Sequence, residues 1–438
     1  MKLRDFLEID YALLLAALIL TVFGILFIYS SGITSTGVLV SREYFRQIIW
    51  AICGLILALT LAMIGYRRFY DLSMYLYLAT LVLLIYTCLF GRLVNGARAW
   101  IGIGSFGIQP SEFAKITTIL FLARYLDASK RDRNQIIRFM VSCAIVFAPM
   151  GVVLIQPDFG TSLVFIPILL TMTFVAGISL RYVVFLIACI GAMGIFMTLP
   201  LWQTYILRKS LPFLLILSNG RFLGIILAAL VVIIIIAVIG YNLYQKRYFY
   251  WIVYGTAIVA FSLGGAFVSH KVLKDYQIMR LIVFLDPNID PRGAGWNIIQ
   301  SITAIGSGGL LGKGYLQGTQ SHYRFLPQQS TDFIFSIYTE EWGLLGGLLV
   351  FALFLLICLR LVKIMKSTTD GFGAYTAAGL AGMYIFHFLI NVGMTMGIMP
   401  ITGIPLLFMS YGGSALISAM TGIGLALSIY IRRFQHSL

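Results

Sequence analysis

Apolar runs of about 20 residues, one after another, leave this chain few ways to fold. They lie near 10–30, 45–65, 71–90, 112–126, 137–155, 161–178, 181–199, 222–241, 249–269, 334–362, 373–394 and 404–431. A run of that length matches the ~30 Å hydrocarbon core of a bilayer when helical. Backbone polar groups have no water partner there, so helices or closed barrels are the only spanning structures. The reading is an all-α polytopic membrane protein of about twelve spans, with 112–126 and 161–178 on the short side. The composition agrees: 60% of residues are hydrophobic and 11% charged, about half the charge of a soluble domain. The first run is long enough to remain as a span, so no cleavable signal is expected.

The net charge of +15 would suggest nucleic acid in a soluble protein. Here positive-inside bias and anionic lipids account for it, and no nucleic-acid partner is expected. With an even number of spans both ends share a side. Lys2, Arg4, Arg67, Arg68, the run "RYLDASKRDRNQIIRF", Arg181, Lys246, Arg247, Arg360 to Lys366, Arg432 and Arg433 then fall together. That side holds roughly 17 basic residues against roughly 7 in the short loops opposite, which makes both termini cytoplasmic. The longest loop, 270–333, is then outside. The chain reads as a single membrane domain over 1–438, with 222–269 as an inserted hairpin led in by Arg208, Lys209 and Arg221. The five cysteines sit in apolar runs and show no CxxC. His270, His322, His387 and His436 have no ligand spacing.

The outer loop opens with "FLDPNIDPRGAGWNIIQS" (284–301). Each Asp precedes a Pro, which disfavours helix for that residue. Asp286 and Asp290 are therefore not expected on one helix face despite their spacing of four. Gly293 and Gly295 allow tight backbone geometry, and "WNIIQS" starts a short helix with Asn297 and Gln300 as polar contacts. Then comes "AIGSGGLLGKGYLQGTQ". Its glycines either bring backbone amides to a phosphate or turn a re-entrant loop. It is neither a P-loop nor a GxGxxG: Ser307 and Gly314 stand where a P-loop needs Gly and Ser or Thr.

Cations Arg280, Arg292, Lys313 and Arg324 share this loop. "FLPQQSTDFIFSIYTEEWG" puts Asp332, Glu340 and Glu341 at or inside a span. Intramembrane carboxylates are costly and mark function, or they pair to assemble helices. A second outer loop carries Arg98 in "NGARAW" and then Glu112 and Lys115, three apart on one helix face. That pair is either structural or part of a headgroup pocket. Asp158 lies at a broken helix between Pro157 and Gly160.

Carboxylates, glycine amides and cations outside a membrane suit an activated group carried by a lipid, because nucleotide sugars are absent there. A lipid diphosphate leaves without protonation. One base and positive charge, or a divalent metal, then suffice. A glycoside hydrolase would instead need two carboxylates flanking the bond.

Five stretches carry a resemblance: "GARAWIGIGSFGIQPSEFAKI", "QPDFGTSLVF", "FLDPNIDPRGAGWNIIQSITAIGSGGLLGKGYLQGTQ", "FLPQQSTDFIFSIYTEEWG" and "GIPLLFMSYGGSALI". Together they resemble the SEDS family (shape, elongation, division and sporulation) of peptidoglycan polymerases over nearly the whole chain. "KGYLQGTQS" with "RFLPQQSTDFIF" looks more like its RodA branch than its FtsW branch, which tends to read "YLPEAHTDFIF". The resemblance implies a SEDS-type bundle in the bacterial cytoplasmic membrane. It would polymerise lipid II, the undecaprenyl-diphosphate disaccharide-peptide, outside the cell during elongation, beside a class B penicillin-binding protein and other elongation proteins.

The essential Asp of the family carries onto Asp290 through "DPxGxGW", with Asp286 the alternative. The ion pair of "QPSEFAK" carries onto Glu112 and Lys115. On this view Arg98, Arg292, Lys313, Arg324 and Gln300 bind substrate and pyrophosphate. Asp158, Asp332, Glu340 and Glu341 support the site, and no cofactor is expected beyond a possible Mg²⁺ or Mn²⁺ ion. Family members typically have ten spans, so the hairpin 222–269 is an addition. A lipid II flippase, which broken helices and intramembrane charges also suit, and a non-enzymatic scaffold are the other readings.

Overall fold

The computed structural model describes residues 9–94, 97–103, 106–203, 220–272, 275–291 and 293–433. Arg208 and Lys209 lie outside them. The chain divides into two compact units, one of residues 1–178 and 296–438 and one of residues 179–295.

The first unit begins with α1 (Tyr11–Ser31), α2 (Glu43–Met63) and α3 (Arg68–Phe90). Asp10 caps α1 by accepting from Leu13 N at 3.1 Å, and Arg360 holds the same carboxylate at 2.7 Å. A three-stranded antiparallel meander follows: β1 (Arg92–Val94), β2 (Ala97–Ile103) and β3 (Phe106–Ile108). It is the one departure among the described residues from the expected all-α chain. A side chain at Gly107 would come within 2.9 Å of the Trp100 ring, so the glycine lets that ring lie across the strands.

Next come α4 (Pro110–Ala128), α5 (Gln135–Ile155), α6 (Phe159–Leu163) and α7 (Phe165–Val175). Pro110 sits in the first turn of α4, where its missing N–H has no cost. The unit closes with α12 (Ala294–Gly308), α13 (Thr319–His322), α14 (Ile334–Ser367), α15 (Gly371–Thr395) and α16 (Gly413–Ile431); α12 starts two residues before the unit boundary.

Small residues set the packing. A Cβ at Gly24 would lie 2.5 Å from the Met409 carbonyl, and one at Gly424 2.6 Å from the Ala58 carbonyl. Such contacts let helix backbones approach closely where lipid removes the hydrophobic drive for helix association. Phe23 and Phe27 of α1 interlock with Tyr338 and Trp342 of α14 at ring separations of 4.6–5.9 Å.

The second unit holds α8 (Leu180–Trp202), α9 (Gly220–Tyr244), α10 (Arg247–Val272) and α11 (Asp275–Leu285). The expected hairpin is α9 and α10, turned at Gln245 with φ +50°. Ser262 donates to the Cys189 carbonyl at 3.1 Å and Tyr254 to that of Arg181 at 2.8 Å, fastening α10 to α8. Phe222, Ile225, Val231, Ile235 and Ile239 of α9 are exposed, as lipid-facing positions must be.

Ten helices among the described residues are long and apolar enough to cross a membrane: α1, α2, α3, α5, α8, α9, α10, α14, α15 and α16. The two short expected spans are α4, which carries charge, and the broken pair α6 and α7. The stretch 270–333, expected as the longest loop with a short helix starting at "WNIIQS", holds that helix as α12 and two further helices, α11 and α13. The last expected span, 404–431, becomes helical only at Gly413.

α14 is broken at Gly343, where φ is +64° and ψ −162°, a region open essentially to glycine alone. At the break the glycine-rich run meets two carbonyls and two amides of α14. Lys313 N donates to Glu340 O at 3.0 Å, and Gly314 N to Glu341 O at 2.9 Å. Leu344 N donates to Gly309 O at 2.9 Å, and Leu345 N to Leu310 O at 3.2 Å. The re-entrant reading of these glycines is therefore the one realised. Gly308 and Gly312 would each bring a Cβ to 2.1 Å from a carbonyl of α14.

Two outcomes are expected. Gly343→Ala should cost of order 1–3 kcal/mol from backbone strain alone, read as a lower thermal midpoint in detergent; an unchanged melting curve would contradict the role given to the break. A cysteine at Gln245 should resist impermeant thiol reagents added outside the cell, because Lys246 and Arg247 beside that turn favour the cytoplasmic side; ready labelling from outside would refute it.

Candidate active site

The polar residues singled out by sequence gather into three places. The first is the turn between α11 and α12. Asp286 caps a single 3₁₀ turn over Pro287–Ile289. Its Oδ1 accepts from the backbone N and side-chain Nδ2 of Asn288, each at 3.0 Å. Pro287 fills the first position, where no N–H is needed.

Asp290 ends the turn with φ −132° and ψ 69°. Its carbonyl accepts from Gly293 N at 3.3 Å and Gly295 N at 3.0 Å, which starts α12. Its carboxylate lies over Gly293: a Cβ there would stand 2.1 Å from Oδ2. Gly293 thus clears the space that the Asp290 carboxylate occupies. Both aspartates are half-buried, and as expected they do not share a helix face. Gln300 is half-buried on α12, and Arg292 lies outside the described residues.

The second place is the start of α4. Lys115 Nζ lies 2.8 Å from both carboxylate oxygens of Glu112, and both side chains are almost fully buried. Of the two oxygens Oε1 takes the hydrogen bond, while Oε2 has none among the described residues. His387 on α15 completes the group, its Nε2 3.1 Å from Lys115 Nζ. The His387 Nδ1 is 3.0 Å from the Pro405 carbonyl, which only accepts. Nδ1 therefore carries the hydrogen and Nε2 receives from the ammonium, which makes the ring neutral.

Asp158 caps α6 through Thr161 N at 3.1 Å and accepts from Gln109 Nε2 at 2.7 Å. The "IQPSEFAK" and "IQPDFG" motifs are thereby joined. His387 and Gln109 escaped the sequence reading. His387 is 272 residues from Lys115, and the one hint was a histidine inside an apolar run.

The third place surrounds the break in α14. Glu340 is fully buried. It accepts from Lys313 Nζ at 2.7 Å, Thr319 N at 2.8 Å, Gln320 N at 3.0 Å and Ser321 N at 3.4 Å, so it caps α13. Glu341 accepts from Leu316 N at 3.0 Å and from the Ser30 hydroxyl. These carboxylates pair to assemble the fold, and Lys313 is committed to Glu340 rather than held out for a phosphate. Arg98 and Arg324 are exposed, on β2 and in the turn after α13. The Asp332 carbonyl accepts from Asn391 Nδ2 at 3.0 Å.

A metal would find little protein coordination. No group of three or more His, Cys, Asp or Glu occurs among the described residues. Mg²⁺ at a diphosphate nevertheless needs only one or two carboxylates, since substrate oxygens and water complete its shell. A single carboxylate on the turn, such as Asp290, meets that requirement.

Ten long apolar helices among the described residues, one of them broken, with buried ion pairs between charged side chains, define a polytopic membrane protein. The chain belongs to the FtsW/RodA/SpoVE family of cell cycle proteins, whose model matches residues 11–220 and 209–434. It is a multi-pass protein of the bacterial cytoplasmic membrane.

It is 50% identical to the peptidoglycan glycosyltransferase RodA of Treponema pallidum (strain Nichols), covering 99% of this chain and 100% of that protein. Against the peptidoglycan glycosyltransferase MrdB of Escherichia coli (strain K12) identity is 32%, over 98% and 95%. A solved chain from a peptidoglycan synthase complex matches with a TM-score of 0.66 at 27% identity, over 98% and 99%. The fold also matches Thermus thermophilus RodA, with a TM-score of 0.61 at 24% identity, over 98% of each chain.

Glu112→Gln should lower both folded yield and activity, because it strands a buried ammonium. Breaking such a pair costs about 3–5 kcal/mol. Glu112→Gln with Lys115→Met removes both charges and should recover much of the melting temperature. Full stability of Glu112→Gln with complete loss of activity would instead make Glu112 a direct participant.

Proposed function

We propose that this chain polymerises lipid II into glycan strands on the outer face of the membrane, with Asp290 as general base. Its enzyme class is that of the relatives it matches over nearly their whole length: a peptidoglycan glycosyltransferase of the RodA branch, serving cell elongation and rod shape. The outward position of the turn rests on the positive-inside count.

The observation that carries the assignment is the division of labour between two aspartates four residues apart. Asp286 Oδ1 is engaged in closing the turn. Asp290 follows at the end of that turn, with its carboxylate lodged over Gly293. In the reaction Asp290 takes the proton from the 4-hydroxyl of the acceptor sugar. That oxygen attacks the anomeric carbon of the donor, and the bond from that carbon to the diphosphate oxygen breaks. Undecaprenyl diphosphate departs as an anion, so no carboxylic acid is needed to protonate it.

Arg292, Arg324 and Arg98 are the cations proposed to meet the departing charge, with Gln300 as a polar contact. Lys313 drops from that group because Glu340 neutralises it. A divalent ion on Asp290 would supply further charge for the diphosphate. The matched peptidoglycan synthase complex supports a class B penicillin-binding protein as partner, to crosslink the new strands.

Purified Asp290→Asn should fold and lose ~10²–10⁴ of the polymerisation rate, the usual worth of a positioned base. Asp286→Asn should keep most of its rate and stability, because asparagine caps about as well as aspartate, whereas Asp286→Ala should lose ~0.5–2 kcal/mol of stability with the lost cap. Near wild-type glycan synthesis by Asp290→Asn would overturn the assignment. Loss of activity with chelator and its return with Mg²⁺ or Mn²⁺ would give Asp290 a metal-binding role. Movement of labelled lipid II between leaflets without polymer would favour the flippase.

A further inference from the structure

A cleft of about 430 Å³ lies between the turn after α1 and residues 316–323, lined among others by Ser35, Gln317, Thr319, His322 and Tyr323. Its volume falls within the ~300–1,000 Å³ usual for small-molecule sites. Its walls are fixed to each other. Ser35 N donates to the His322 carbonyl at 3.1 Å, and His322 Nδ1 to the Ile33 carbonyl at 2.8 Å. The cleft is therefore formed before any ligand arrives, as good sites are.

The lining has a distinct chemistry. The Ser35 hydroxyl and the Gln317 amide make no hydrogen bond with a described residue, and both residues are exposed. His322 is only 7% exposed, yet its Nε2 has no hydrogen-bond partner among the described residues. Glu341 Oε1 is 3.7 Å away, beyond hydrogen-bond reach.

The neighbouring charges cancel. Lys313 lies on Glu340 at 2.7 Å, and both bond the Thr319 hydroxyl. An anionic ligand would find no spare cation in the lining. Tyr323 is 59% exposed, and its ring sits 5.9 Å from that of Phe325, so an aromatic wall stands beside the polar groups. A belt of aromatics at the lipid headgroups explains Tyr323 alone. It does not explain a preformed cleft with unpaired polar groups.

We propose that this cleft is a saccharide subsite. It takes a neutral N-acetylated sugar unit, whose hydroxyl and acetamide groups meet Ser35 and Gln317 while an apolar sugar face rests on Tyr323. The proposal rests on the glycan-polymerising function above and names a second place where that enzyme holds sugar. The sugar comes either from the growing strand or from the disaccharide of a lipid-linked substrate.

The test uses full-length protein in nanodiscs and the soluble β-1,4-linked tetramer of N-acetylglucosamine as probe, followed by saturation-transfer NMR and titration. Tyr323→Ala and Gln317→Ala each change an exposed side chain, and thermal melts check that both fold. The wild type should bind the tetramer, and each variant should bind about tenfold more weakly. In polymerisation assays, a fall in glycan length that exceeds the fall in the first-linkage rate assigns the cleft to the strand. A raised KM for the lipid-linked disaccharide assigns it to that substrate. Absence of tetramer binding to the wild type, or equal binding by wild type and both variants, overturns the subsite even if glycan is made. Tetramer binding that the variants lose, with no glycan from the wild type under any condition, overturns the polymerase and leaves the subsite standing.

Discussion

The break in α14 at Gly343 is the constraint around which the larger unit is organised. A helix interrupted at membrane depth exposes amides and carbonyls that water cannot reach, and each one left unsatisfied costs several kcal/mol. Here residues 309–314 supply two donors and two acceptors, by backbone alone. Side chains would hold that segment away, and so Gly308 and Gly312 stand where a Cβ would strike the backbone of α14. Once the segment is seated, Lys313 falls on Glu340, and Glu340 in turn caps α13. The ordering of residues 308–322 thus follows from one non-helical glycine.

The same accounting sorts the carboxylates. A buried carboxylate must be paired or hydrogen-bonded, and Glu112, Glu340, Glu341, Asp10 and Asp158 all have partners within the fold. Removing one of them strands a charge or a helix end, so loss of activity in such a variant would not by itself identify a reacting group. Asp290 differs in position. It sits half-buried at the end of a turn that another aspartate closes, with a glycine beneath its carboxylate.

Much of this was legible in the sequence because the controlling quantities are local. Run length located the spans, and all ten helices long and apolar enough to cross fall where runs were read. Proline after each aspartate foretold that Asp286 and Asp290 would not share a helix face. Composition could not choose between two uses of the glycine-rich run, since both need a backbone without side chains. The choice depended on Gly343, about 30 residues away, having a conformation no side chain permits. His387 was hidden for a similar reason. Its partners, Lys115 and the Pro405 carbonyl, are set by the packing of α4 on α15 and by the entry to α16, and no spacing rule reaches across such distances. The meander over residues 92–108 was missed because short strands with glycine corners leave too little periodicity to separate from a loop.

Two Asp-Pro pairs in one short segment have different physical tasks. Asp286 accepts two hydrogen bonds from Asn288, and Pro287 takes the turn position that needs no donor. That pair builds the turn. Asp290 uses its backbone carbonyl to start α12, through Gly293 and Gly295. Pro291 keeps Asp290 from being drawn into the helix that follows. The result is a carboxylate whose backbone is fixed by the turn before it and the helix start after it. A general base needs such a fixed position, because it must lie within hydrogen-bond reach of the proton it abstracts.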